Sequence, residues 1–123
     1  MSASGNSASG IKNGPLRMKI NKPEKEAWNM PLARRIKTAV NCPVMVVGGF
    51  RSYDVCEKAI NKDGIDYVTM SRPLIREPGL ASRWEEGDRT PAMCVSCNRC
   101  FQPGVEEGGI YCVVEKKKRH GPV

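Results

Sequence analysis

Four of the six cysteines lie within one short segment of the sequence. Two residues separate Cys94 from Cys97, two separate Cys97 from Cys100, and eleven lie between Cys100 and Cys112. Thiolates at this spacing can surround one soft metal centre, because the three closely spaced cysteines wrap one side and the distant one closes the other. The segment therefore predicts a metal site.

The other two cysteines, Cys42 and Cys56, stand alone in the sequence. The first ten residues lack the basic-then-apolar pattern of a signal peptide, and no apolar run has the length of a membrane span. We therefore expect a cytoplasmic protein with reduced thiols. In that compartment clustered cysteines favour metal or redox chemistry over a disulfide framework.

Two glycines that end an apolar run are the first candidates for binding an anion. The run Val44–Val47 is short and β-branched, which is typical of a strand buried on both faces in a parallel sheet. Gly48 and Gly49 follow it, and without a Cβ they let backbone N–H groups approach an anion closely. Arg51 lies beside them, and we expect the next helix to present its positive N-terminal end there.

A second apolar run, Ile65–Met70, also ends in polar residues. Ser71 can donate a hydroxyl hydrogen bond, and Arg72 can clamp phosphate oxygens with its planar, permanently charged fork. Each signal alone also fits an ordinary tight turn or a solvated arginine. Because the carboxyl ends of parallel strands meet at one edge, both sets together predict a shared anion site.

Helical periodicity precedes the first strand. It extends from about Glu24 to Val40, and the residues Leu32, Ala33, Ile36 and Val40 form its apolar face. Pro31 is compatible with a helix start or a kink. We expect this helix to pack on the sheet through that face.

A second helix is predicted between the two strands, from Tyr53 to Asn61, with Ser52 as its N-cap. Cys56 falls on its apolar face and is interpreted as a small core residue. A short third helix is expected at about Pro78 to Glu86. Alternating helices and strands joined by short turns predict an α/β fold with parallel strands.

Two longer motifs carry a resemblance to a known family. The segments Pro43–Ser52 and Asp66–Ile75, with Pro78 shortly after, resemble the end of the NADH:flavin oxidoreductase family related to Old Yellow Enzyme. Within it, the chain is most similar to the branch that contains 2,4-dienoyl-CoA reductase and enoate reductases. The resemblance extends from about Ser9 to Lys116.

The resemblance implies a fold for the chain. The fold would be the C-terminal fragment of a TIM (β/α)₈ barrel, with strands seven and eight and their helices, followed by a cysteine-rich irregular segment. Gly14–Ile20 would lie in the loop after strand six. The other strands would come from the remainder of the barrel, so that remainder or self-association is the expected partner.

The resemblance also implies a cofactor site. The FMN phosphate would be bound by Gly48, Gly49, Ser71 and Arg72, with Phe50 and Arg51 in the same cofactor-binding site. Many family members have glycine where Ser71 stands. NAD(P)H would reduce FMN, and the flavin would pass hydride to an activated double bond. Because the remaining flavin and substrate contacts come from strands one to six, no catalytic residue is assigned.

In the iron–sulfur branch of that family, the cysteines corresponding to Cys94, Cys97, Cys100 and Cys112 hold a [4Fe–4S] cluster that passes electrons to FMN. There the second and third cysteines are usually separated by three residues, whereas two separate them here. Three alternatives therefore remain, namely a cluster, a Cys₄ zinc site that braces the loop, and no metal. The alternative to an oxidoreductase fragment is a non-catalytic metal-binding or structural module from a truncated gene, in which the four cysteines form a Cys₄ zinc site.

These predictions divide the chain into four parts, which are a flexible N-terminal segment (1–15), a partial barrel (16–90), a cysteine-rich segment (91–115) and a basic tail (116–123). The net charge is +7, but acidic and basic residues alternate outside the block Lys116–Arg119. We interpret that block as solvated, together with His120. No stripe of basic and aromatic residues is present, so neither nucleic acid nor a membrane is an expected partner.

Overall fold

A computed structural model of the chain describes residues 17–120. This part contains two strands, β1 (Met45–Val47) and β2 (Tyr67–Thr69). It also contains the helices α1 (Met30–Ala39), α2 (Tyr53–Asn61), α3 (Arg72–Arg76), α4 (Leu80–Glu85), α5 (Gln102–Glu106) and α6 (Val113–His120), and 3₁₀ turns at Pro23–Lys25 and Arg99–Phe101. The predicted segment 1–15, the start of the loop 14–20 and the end of the basic tail lie outside the described residues.

The two strands form a parallel pair, in which Val46 lies opposite Val68. Helix α2 makes the crossover between them, as parallel neighbours require. The mixed, parallel α/β arrangement predicted from the sequence is confirmed. Each strand is shorter than its apolar run, because Val44 and the flanks of Ile65–Met70 lie outside the paired residues.

Among residues 17–120, helices and loops cover one face of this sheet and leave the other open. Val46 is 3% exposed and packs among buried residues of the surrounding elements, which are Met30, Ala33, Val44, Phe50, Ala59 and Ile65. On the opposite face Met45 and Tyr67 are 70% and 59% exposed. The prediction of a strand buried on both faces is therefore wrong for the described part of the chain, because the helices cover one side and successive side chains alternate between the two.

The first helix is shorter than predicted, and it packs on the core through a different face. The segment before it forms the 3₁₀ turn Pro23–Lys25, and α1 begins only at Met30, with Pro31 in its first turn where proline is tolerated. Met30 and Ala33 are buried, whereas Leu32, Ile36 and Val40 are exposed. The predicted packing face is therefore wrong except for Ala33.

Helix α2 has the predicted range, Tyr53–Asn61. The turn after it contains Gly64 at φ +69°, a left-handed conformation that glycine adopts without steric cost. Cys56 is half-buried and packs against both hydrophobic clusters of the protein, which confirms its interpretation as a core residue. Burial, together with the negative charge of Glu26, raises the pKa of its thiol to about 12.

The second cluster is built around the last predicted helix. Leu80, Trp84 and Ala92 are its buried members, and the ring of Tyr53 meets Trp84 edge-on at 5.9 Å. Helix α4 lies inside the range predicted for it. Helix α3, which follows Ser71 directly, was not predicted.

The cysteine-rich segment is more regular than predicted. It contains the turn Arg99–Phe101 and helix α5, and α6 begins directly after Cys112. The block Lys116–Arg119 and His120 are exposed, as expected, but they lie on α6. Within residues 17–120 no helix has both the length and the apolar character needed to cross a bilayer.

Candidate functional site

A cavity of about 140 Å³ lies where β1 and β2 end at their carboxyl side. All six residues predicted to bind the cofactor line it: Gly48, Gly49, Phe50, Arg51, Ser71 and Arg72. Further lining residues come from before α1 and from the cysteine-rich segment, namely Trp28, Asn29, Ser96 and Phe101. We call this space the strand-end cavity.

The glycine turn after β1 is held tightly by the residues that precede α1. Asn29 Nδ2 donates to the Val47 carbonyl at 2.7 Å, and the Trp28 N–H donates to the Gly48 carbonyl at 3.2 Å. Gly49 has φ +74°, and a Cβ there would lie 2.7 Å from the Ile20 side chain. A residue other than glycine would therefore need both a strained backbone and a shifted neighbour.

Arg51 lines the strand-end cavity but is engaged elsewhere. Its Nη1 donates to the Ile20 carbonyl at 2.7 Å, and its Nη2 donates to the Ala92 carbonyl at 2.8 Å. These bonds tie the loop after β1 to two segments that are distant in sequence. The guanidinium therefore acts as a structural brace. Phe50, which precedes it, is 2% exposed and belongs to the hydrophobic core.

A carboxylate of the chain itself binds the residues directly before α2. Glu26, which is 7% exposed, accepts hydrogen bonds from the N–H groups of Arg51 and Ser52, both at 3.0 Å. The Ser52 hydroxyl donates to it at 2.6 Å and makes no side-chain cap of α2. The expectation that Ser52 caps this helix is therefore wrong, because its hydroxyl donates to Glu26 instead.

Arg72 is the cation best placed to contact an anion in the strand-end cavity. Its Nη1 donates to the Arg17 carbonyl at 2.9 Å and to Asn98 Oδ1. Among residues 17–120, its Nε and Nη2 atoms make no hydrogen bond. Ser71, at the start of α3, is exposed and lines the same cavity.

The four clustered cysteines line a second, smaller cavity of about 20 Å³, which we call the thiol cavity. Cys94, Cys97, Cys100 and Cys112 all contribute to it, whereas Cys42 and Cys56 do not. Arg72 and Arg76 of α3 lie in the same wall. Within the described range, no three Cys, His, Asp or Glu side chains are grouped as they would be around one metal ion.

Arg76 is the charged residue that influences these thiols most directly. It is 7% exposed, with Nη1 lying 3.5 Å from Cys112 Sγ and Nη2 2.9 Å from Glu115. Burial alone would raise the pKa of Cys112, but hydrogen bonds from Arg76 and from backbone N–H groups hold that pKa below its ordinary value. Burial raises the pKa of Cys100 instead.

The chain is similar to parts of three oxidoreductases. It is 32% identical over 92 residues to 4,4'-dithiodibutanoate disulfide reductase of Rhodococcus erythropolis, covering 75% of the chain and 22% of that protein. It is 34% identical over 85 residues to bilirubin reductase of Clostridium symbiosum (strain WAL-14163), and the match covers 68% of the chain and 23% of that protein. It is 36% identical over 75 residues to NADH oxidase of Thermoanaerobacter brockii, and the match covers 60% of the chain and 12% of that protein.

The chain thus spans less than a quarter of the length of each of these relatives. Their names have in common the transfer of electrons, and the third name includes NADH. No protein-family model matches the chain, and no solved structure matches it either.

Proposed function

We propose that this chain is the FMN-phosphate-binding part of an NAD(P)H-dependent flavin oxidoreductase related to Old Yellow Enzyme, which reduces activated C=C bonds. Its two strands correspond to strands seven and eight of a TIM (β/α)₈ barrel. One observation carries the proposal: the six residues assigned to FMN from sequence line one cavity at the strand ends. Similarity to two reductases and an NADH oxidase supports the oxidoreductase class.

The donors around the strand-end cavity fit a phosphate monoester. Gly48 and Gly49 bring backbone to the cavity without a Cβ, and Arg72 adds a permanent positive charge. Trp28 Nε1 is buried and has no hydrogen-bond partner among the described residues, so a phosphate oxygen would satisfy it. These residues would hold and orient the phosphate.

Bound FMN would supply hydride transfer from a nicotinamide to an activated double bond. The residues of this chain contribute the phosphate end of that arrangement, and none of them is assigned to proton transfer. The other flavin and substrate contacts would come from the rest of the barrel. The open sheet face supports this division, because Met45, Val47 and Tyr67 form an exposed apolar surface that further strands would cover.

We further propose that Cys94, Cys97, Cys100 and Cys112 hold a [4Fe–4S] cluster. The four cysteines line one small cavity, which brings them to the same place in the fold, and four thiolates are the usual ligands of such a cluster. Arg72 and Arg76 in the wall of the thiol cavity suit a centre that carries net negative charge.

Flavin affinity of the purified protein tests the phosphate site. Replacing Arg72 with alanine should weaken FMN binding by about 1.5 to 3 kcal/mol, the range for hydrogen bonds to charged groups. Arg35→Ala, which removes an exposed cation of α1, is the matched control and should bind FMN as the unmodified protein does. Equal FMN affinity in Arg72→Ala would contradict the assignment.

Metal content and turnover test the rest of the proposal. Iron and acid-labile sulfide in the anaerobically purified protein would support the cluster. Bound zinc without flavin affinity would instead favour a non-catalytic module. The 123-residue chain alone should not reduce an enone with FMN and NAD(P)H, because the strands that would cover the flavin ring are missing. Steady turnover by a monomer would show that the partial-barrel proposal is wrong.

A further inference from the structure

The cysteine-rich segment forms part of the wall of both cavities. Its residues Ser96 and Phe101 line the strand-end cavity, while the cysteines on either side of Ser96 line the thiol cavity. Arg72 lines both. The conformation of this segment and the position of the Arg72 side chain therefore depend on each other.

The direct connection is the hydrogen bond from Arg72 Nη1 to Asn98 Oδ1. Asn98 lies between Cys97 and Cys100, and its backbone is left-handed, with φ 59° and ψ 12°. Asparagine tolerates this conformation better than most residues do. Ser96, two residues earlier, is 5% exposed, and its carbonyl accepts a hydrogen bond from the Lys19 N–H at 3.2 Å. The acceptor on Asn98 is therefore presented from an anchored loop.

An arginine side chain must lose rotamer freedom before it can clamp an anion, and that loss reduces the binding affinity. In this protein Nη1 is fixed by two uncharged acceptors, the Arg17 carbonyl and Asn98 Oδ1. Neither acceptor neutralises the guanidinium, as a carboxylate would. The arrangement therefore restricts the Arg72 side chain without forming an ion pair.

We propose that Asn98 is a positioning residue, which orients Arg72 for anion binding and thereby couples the order of the cysteine-rich segment to the strand-end cavity. This inference rests on the proposed function, in which Arg72 contacts the FMN phosphate. Because coupling between two sites is reciprocal, an anion bound by Arg72 also stabilises the loop that carries Asn98.

The test compares FMN with riboflavin, which has the same ring system but no phosphate. Asn98→Gly removes the acceptor, and glycine retains easy access to the left-handed backbone. We expect it to weaken FMN binding about five- to tenfold, the range for a lost hydrogen bond. The affinity for riboflavin should stay the same. Arg99→Gln, an exposed change one residue away, is the control and should leave both affinities unchanged.

A double-mutant cycle separates this role from the proposed function. In an Arg72→Ala background, Asn98→Gly should cause no further loss of FMN affinity, because its effect acts through the guanidinium. If Arg72→Ala weakens FMN binding but Asn98→Gly does not, the positioning role is overturned and the proposed function stands. If Arg72→Ala leaves FMN affinity unchanged, both are overturned.

Hydrogen exchange gives a second readout that needs no variant. In the unmodified protein, FMN or inorganic phosphate should slow amide exchange in residues 96–101, whereas riboflavin should not. Equal exchange with and without the phosphate-bearing ligands would overturn the coupling.

Discussion

The Ser52 hydroxyl donates a 2.6 Å hydrogen bond to the Glu26 carboxylate, and the two residues are 26 positions apart in sequence. The same carboxylate accepts the N–H groups of Arg51 and Ser52. Glu26 therefore binds the two residues that precede α2, and it fixes the loop that lines the strand-end cavity.

Removal of this carboxylate should destabilise the protein. Glu26→Ala leaves three donors without their acceptor in a buried place, so we expect the free energy of unfolding to fall by about 2 to 3 kcal/mol. Urea unfolding followed by circular dichroism measures the change. Glu24→Ala, in the exposed 3₁₀ turn nearby, is the matched control and should have little effect. Equal midpoints for the two variants would contradict this role of Glu26.

The two isolated cysteines should differ in reactivity. The pKa of Cys56 is raised to about 12, so at pH 8 only about one molecule in ten thousand carries its thiolate. Cys42 is exposed. Iodoacetamide at pH 8 should therefore label Cys42 while Cys56 stays unmodified, as peptide mass spectrometry can show. Rapid labelling of Cys56 in the folded protein would mean that α2 does not pack as described.

Acid should weaken the contact that joins α1 to the start of β1. The hydrogen bond from Lys37 and the one from the Val44 N–H lower the pKa of Asp66 from 3.8. A lowered pKa means that the stabilisation is complete above about pH 4 and is lost as the pH falls through the folded-state pKa. The melting temperature of Asp66→Asn should therefore lie below that of the unmodified protein at pH 7, and the difference between the two melting temperatures should be smaller at pH 2. The same difference at both pH values would contradict this role of Asp66.

The open face of the sheet should promote association. Met45 and Tyr67 project from neighbouring strands as a largely exposed apolar pair. We expect the double variant Met45→Lys, Tyr67→Lys to sediment as a smaller species than the unmodified chain at the same concentration. Val105→Lys replaces an 89% exposed residue of α5 and serves as the control. Association that persists in the double variant would show that another surface is responsible.

Residues close together in sequence were enough to predict α2 and the two strands. Turn residues mark both ends of α2, and runs rich in β-branched residues mark the strands. The packing face of α1 was not predictable in the same way. Both flanks of that helix carry apolar residues, and only the position of the sheet makes Met30 and Ala33 buried while Ile36 is exposed. The helices of the cysteine-rich segment were missed because their sequences lack apolar periodicity.

The candidate site shows the same division. Glycines and a serine–arginine pair at two strand ends meet in one cavity because parallel strands bring their carboxyl ends together. Asn29 and Glu26 were missed, since Asn29 contacts Val47 from 18 residues earlier and Glu26 contacts Arg51 from 25 residues earlier, and no local pattern marks such a partner. The hydrogen bonds of Arg51 could not be predicted either, because their acceptors are backbone carbonyls, which every residue carries.

Trp28 gives the strand-end cavity an optical property. It is one of two tryptophans in the sequence, it lines this cavity, and the Arg17 guanidinium lies 4.8 Å from its ring centre. The other, Trp84, belongs to the second hydrophobic cluster. Indole emission overlaps flavin absorption, so a flavin whose phosphate occupies this cavity would accept excitation energy from Trp28. The protein thus carries its own fluorescent donor at the proposed binding site, and occupancy could be followed without an attached dye.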